Sequence, residues 1–156
     1  NTSDGSLNAV DLMTGKLVWR TRTPRDGCKG KEDDICLNGI VSPPVVMGDA
    51  VIVGAMDGVL RAYDKRNGRI FWSYDAVRSY TGVNGLKGTG GGFGMGGVAI
   101  VGNMMYVSAG SGIYKAGRMG NALLAFESGA NESMADSKTS PGVVKHEAAT
   151  LPSRRH

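Results

Sequence analysis

The phrase DGSLNAVDLMTGKLVW at residues 4–19 returns as DGVLRAYDKRNGRIFW at residues 57–72. Asp-Gly, Leu, Ala, Asp, Gly and Trp keep their order and spacing in both copies. A fainter third copy is GNALLAFE at 120–127, where Leu123, Ala125 and Glu127 align with Leu60, Ala62 and Asp64. A period of roughly 40–55 residues belongs to propeller blades and similar arrays, because a unit of that size cannot bury its apolar face alone and stacks on a copy of itself. The repeat therefore constrains the architecture before any single residue is considered.

Each copy reads strand, turn, strand. In VLRAYD (59–64), Val59, Arg61 and Tyr63 alternate with Leu60, Ala62 and Asp64, the period of two of a pleated strand. The turns DLMTGK and DKRNGR follow, with Gly15 and Gly68 as residues tolerant of positive φ. Asp11 and Asp64 are placed to accept hydrogen bonds from backbone amides of those turns, so both are read as structural. KLVW and RIFWSY then return as second strands. IVSPPVV (40–46) and AVIVGA (50–55) add two strands upstream, the first confined by Pro43 and Pro44 to a strand edge or start. The order recurs in GGVAIV (96–101), MYVSA (105–109) and ALLAF (122–126). The expected class is all-β, a partial β-propeller of about two to three four-stranded antiparallel blades over residues 1–127. The last blade lacks a visible fourth strand, which an N-terminal segment could supply in a closed ring. Trp19 and Trp72 occupy equivalent fourth-strand positions, where a large ring plugs the junction between blades.

AVDLMTGKLVW and RAYDKRNGRIFW resemble the tryptophan-docking repeat of PQQ-type quinoprotein propellers, A-x-D-x-x-x-G-K-x-x-W. VNGLKGTGGG and VGNMMYVSAGSGIYKAGRMGNALLAF are similar to the last blades of polyvinyl-alcohol dehydrogenase-like proteins. The resemblance spans residues 4–127. It implies an eight-bladed ring that binds pyrroloquinoline quinone (PQQ) and Ca²⁺ and oxidises alcohols by hydride transfer to the quinone. It implies an electron acceptor such as a cytochrome, a haem c in a separate region of many members, and a periplasmic or extracellular location. On this reading the chain is the C-terminal part of a larger dehydrogenase, with the remaining blades as partners. Such a fragment is expected to be inactive alone, because one sector of a ring cannot enclose an axial cofactor. The alternative is a non-catalytic PQQ-repeat propeller that binds protein or carbohydrate, since scaffolds carry the same blade motif.

Three long segments, 21–39, 73–92 and 110–120, fall on one face of such an array, while the opposite face receives short turns. Elaborated loops on one side of a rigid scaffold are where binding usually sits. A cofactor with three carboxylates and an ortho-quinone needs cations, neutral donors and a flat floor. Asn84, Lys87, Ser111 and Arg118 are the candidate cofactor-binding residues, with Lys115 as a further cation and Tyr80 or Tyr114 as a stacking surface. Asp33, Asp34 and Asp75 lie on that face without forming a convincing base or metal-ligand set, so the catalytic base and metal ligands stay unassigned.

Other classes are disfavoured. The net charge is +4, without a basic run interleaved with aromatics, which argues against nucleic acid. No apolar run approaches the ~20 residues of a membrane span. GFGMGG (92–97) satisfies G-x-G-x-x-G, but β-patterned VAIVGNMMYVS follows where a dinucleotide site needs a helix. The glycine-rich run is read instead as a close-packed, side-chain-poor loop. Cys28 and Cys36 lie in a polar segment. They form either a local disulfide, implying an oxidising compartment, or two free thiols, implying the cytosol; the polarity of the loop favours the disulfide. Residues 128–156 have few large apolar residues and are expected to be a disordered tail.

Overall fold

The computed structural model describes residues 5–28, 37–110, 118–127 and, by their backbone, 147–150. Two strands, β1 (Ser6–Val10) and β2 (Leu17–Arg22), form the first sheet, and a short 3-10 turn over Asp26–Cys28 follows. The second sheet is a four-stranded meander of β3 (Val45–Met47), β4 (Ala50–Gly54), β5 (Val59–Asp64) and β6 (Ile70–Asp75). A separate hairpin, β7 (Ser79–Thr81) and β8 (Lys87–Thr89), comes next. The third sheet takes β9 (Val98–Val101), β10 (Met104–Ala109), β11 (Ala122–Glu127) and β12 (Glu147–Thr150), again in sequential antiparallel order. The expected all-β class and four-strand units are therefore present.

The two strong repeats are equivalent down to their irregularities. Ala9 pairs with Trp19 and Ala62 with Trp72, and the register shifts immediately after each alanine. Gly15 N donates to Asp11 O and Gly68 N to Asp64 O, both at 2.8 Å. Gly15 and Gly68 have φ of 68° and 71°, the left-handed region that a residue without Cβ enters freely. Asp11 Oδ1 accepts from Met13 N and Thr14 N, and Asp64 Oδ1 accepts from Arg66 N. Both carboxyls sit below their usual range, Asp11 through its bonds to Thr14 and Asp64 through the Arg66 amide.

β5 is buried on both faces, because a neighbouring sheet covers each. Leu60 and Ala62 join Ile52 and Tyr74 in a core shared with Val107, Leu124 and Phe126 of the third sheet. The opposite face meets the first sheet and its following loop, where Arg61 pairs with Asp26. The tryptophans sit at these joints. Trp19 Nε1 donates to Lys65 O at 2.9 Å, and Thr21 Oγ1 donates to Gly68 O at 2.7 Å. Trp72 meets Phe126 edge-on, with ring centroids 5.8 Å apart, and stacks beside Tyr74 at 6.2 Å. Each ring thus reaches the end of the third strand of the next sheet, or the turn just beyond it. A Cβ at Gly68 would come within 2.5 Å of the Trp19 ring. Gly68→Ala is expected to cost more than about 1 kcal/mol and to alter tryptophan emission, as a denaturant titration followed by fluorescence would show.

Three features depart from expectation. The fourth strand of the third sheet comes from the chain itself: Ala122 pairs with Thr150 and Ala125 with Glu147, inside the segment expected to be a disordered tail. The remainder of 128–156 lies outside the described residues. The first strand of the second sheet begins only at Val45, after Pro43 and Pro44, because proline cannot donate to a ladder. The hairpin β7–β8 forms within what reads as loop, around a turn in which Gly85 has φ 75°.

Candidate functional site

The long connections meet on one face and are joined backbone to backbone. Met56 N donates to Gly39 O, Phe93 N to Ala55 O, Gly92 N to Arg118 O and Gly110 N to Gly92 O, at 2.8–3.1 Å. A Cβ on Gly91 would fall 2.2 Å from the Arg118 carbonyl oxygen, and one on Gly110 2.2 Å from the Gly120 backbone. The glycine run is thus a seam that excludes side chains, and it leads into β9 rather than a helix.

Beside this seam lies a buried ion cluster that the sequence pattern hides. Arg61 is 1% exposed and its guanidinium donates to both carboxylate oxygens of Asp57, at 3.2 and 2.7 Å, and to Asp26. Burial alone would lower the Arg61 pKa, but the bonds to Asp57 and then the charge of Asp26 outweigh it and hold the group above its ordinary value. The cluster joins the loop after the first sheet to the second sheet.

The hairpin lines an open space on this face. Ser79, Tyr80 and Thr81 of β7, Lys87, Gly88 and Thr89 of β8, and Asn121 line an open cleft of about 500 Å³. Its chemistry is one ammonium, hydroxyls and an amide. Tyr80 forms its floor with the hydroxyl turned inward, donating to Ala76 O at 3.1 Å and lying 3.2 Å from Tyr74 Oη. Arg78 covers the Tyr74 ring at 4.7 Å. Burial, then the Tyr74 contact, pushes the Tyr80 pKa up, and burial does the same for Tyr63. Unfolded tyrosines ionise near about pH 10, so the stability these two contribute is intact below that pH and is lost as pH rises through their folded values. A Tyr63→Phe/Tyr80→Phe variant should flatten the alkaline limb of the stability–pH curve.

Of the candidate donors, Lys87 lines the cleft. Asn84 sits at the hairpin tip, where its Oδ1 accepts from Leu86 N at 3.1 Å. Arg118 is half-buried at the seam. Ser111, Tyr114, Lys115, Asp33, Asp34 and Cys36 lie outside the described residues. Asp75 Oδ1 accepts from Val77 N, a turn contact. Among the described residues no three His, Cys, Asp or Glu side chains converge as a metal site, and no cysteine is free. Ser79, Thr81, Thr89 and Asn121 enter the cleft without having been named in advance. The Asn84-Gly85 dipeptide is the signal that announces their hairpin.

Sheets of four sequential antiparallel strands, docked face to face through a repeated tryptophan, define an arc of a β-propeller. The family described as outer membrane protein assembly factor BamB (PQQ_2) matches residues 2–112, and the chain belongs to that PQQ-repeat family. It is similar to the polyvinylalcohol dehydrogenases of a Pseudomonas species (32% identity over 126 residues, 76% of this chain) and of Sphingopyxis sp. strain 113P3 (32% over 130 residues, 77% of this chain). The quinohemoprotein alcohol dehydrogenase ADH IIB of Pseudomonas putida is 35% identical over 65 residues, 42% of this chain and 9% of that protein. The chain spans 20% of the length of each polyvinylalcohol dehydrogenase. No helix among the described residues is long and apolar enough to cross a membrane.

Proposed function

We propose that this chain is a blade arc of a PQQ-dependent alcohol dehydrogenase of the polyvinylalcohol type, located in the periplasm or outside the cell. The observation that carries the reading is the likeness to two polyvinylalcohol dehydrogenases along three quarters of the chain. Bound PQQ would supply the two-electron acceptor for the hydride that leaves an alcohol carbon.

The described residues fit one side of such a group. Arg118, with Ser111 beside the glycine seam in sequence, suits a carboxylate. Asn84 and Lys87 stand apart on the hairpin and are secondary donors. On this reading the carboxylate that accepts the alcohol proton, the Ca²⁺ ligands and the contact to an acceptor such as a cytochrome are sought in the remaining blades of the parent protein. Pairing of Cys28 with Cys36 would pin the loop that carries Asp26 and suits an oxidising compartment.

A second reading, a non-catalytic scaffold that binds protein or carbohydrate, is favoured by the family's own description as an assembly factor. The deciding experiment loads the full-length protein with PQQ and Ca²⁺ and follows dye reduction with primary, secondary and polymeric alcohols. Turnover supports the dehydrogenase; silence with all three by a cofactor-loaded protein leaves the scaffold. Arg118→Ala should weaken PQQ binding about tenfold, the scale of one charge-assisted hydrogen bond, in a titration of quinone absorbance.

A further inference from the structure

The outer edge of β8 is half covered. Bonds from Gly82 N to Leu86 O and from Gly90 N to Arg78 O bracket the hairpin, whose register pairs Ser79 with Thr89, Tyr80 with Gly88 and Thr81 with Lys87. Hydrogen-bonded and non-bonded pairs alternate along an antiparallel ladder. Gly88 therefore exchanges its bonds with Tyr80, while the amides and carbonyls of Lys87 and Thr89 point away from β7. Asn121 satisfies both groups of Thr89: its Oδ1 accepts from Thr89 N at 2.9 Å, and its own N donates to Thr89 O at 2.8 Å. One residue thus imitates a neighbouring strand. It cannot continue along the edge, because Gly120 turns away to donate to Gly110 O. Among the described residues nothing takes the outward bonds of Lys87, which open onto the 500 Å³ cleft.

We propose that this edge receives an extended acidic segment of a partner protein, added as a strand beside Lys87 and stopped at Asn121. Unpaired strand edges are templates for such addition. The partner residue opposite Lys87 exchanges two main-chain bonds with it, and a Glu or Asp there meets the ammonium. Gly88 brings no side chain, so the next partner residue has room on the other face. Val83 and Leu86, exposed at the hairpin tip, offer apolar contact to flanking residues. The net charge of +4 favours an acidic partner. This role needs neither quinone nor turnover, so its binding test is read independently of the dehydrogenase assay, although both readings use the Lys87 ammonium.

The test is fluorescence anisotropy of a labelled heptapeptide alternating glutamate and valine, titrated with the full protein. Saturable binding is expected. Lys87→Gln removes only the charge and should weaken it about threefold. Lys87→Pro also removes the outward N–H while sparing the bonds to β7, and should weaken it at least about tenfold, since proline is tolerated on an edge strand. The same peptide with alternate amides N-methylated tests the main-chain bonds without altering the protein, and should not bind. Equal binding of the methylated peptide, equal affinity of the Gln and Pro variants, or no saturable binding would overturn the proposal.

Discussion

Asp57→Ala will destabilise the protein by about 3–5 kcal/mol, the cost of leaving a buried charge without its partner. Arg61 is 1% exposed, and of its two carboxylate partners only Asp57 is buried with it; Asp26 is half exposed to solvent. Removing Asp57 also takes away the acceptor of Val59 N at 3.0 Å, which orders the turn into β5. Part of the Arg61 guanidinium is already unsatisfied at Nε, so little reserve exists to absorb a second loss. The charge-free pair Asp57→Leu/Arg61→Met should recover much of that stability, because replacing both ions with apolar groups is often neutral. Urea unfolding of the three proteins checks this. A loss below about 1 kcal/mol for Asp57→Ala would mean that water reaches Arg61.

Phe126→Ala should be comparably severe, about 3–5 kcal/mol, and for a different reason. The ring is 3% exposed and presents its edges to Trp72 at 5.8 Å and Tyr74 at 5.0 Å, both from the preceding sheet. Its loss leaves a cavity at the joint rather than inside one sheet. The second and third sheets should then lose cooperativity, visible as an earlier change in tryptophan emission than in far-UV signal. Phe126→Leu, which keeps most of the volume, should cost less than about 1.5 kcal/mol.

Much of the architecture is legible in the sequence because local patterns and tertiary demands agree. VLRAYD alternates as a strand, Asn67-Gly68 marks its turn, and Trp72 recurs at the position of Trp19. Where they diverge, reading fails for identifiable causes. Glu147–Thr150 is EAAT, rich in residues that strands usually avoid, and it is recruited by the open edge of β11 rather than by its own propensity. Arg61 occupies a slot that holds Asn8 in the other repeat, and a charge on an alternating strand reads as solvent-facing. It is buried only because a second sheet covers that face. The cleft depends on Asn121 meeting Thr89 across 32 positions, a juxtaposition no local motif announces. Lys87 lines the cleft with Ser79, Thr81 and Thr89 because the Asn84-Gly85 turn folds both strands into one hairpin.

The tryptophan phrases act as joints between successive sheets, and a double-mutant cycle between Trp72 and Phe126 measures one joint directly. The two residues belong to different sheets, so coupling between them reports aromatic packing across the joint, in which Tyr74 also takes part. Unfolding free energies of the two alanine variants and their double variant should show a favourable coupling of about 1 kcal/mol, as expected for an edge-to-face pair. Additivity within about 0.3 kcal/mol would mean that the rings do not meet, and would contradict the docking of one blade on the next.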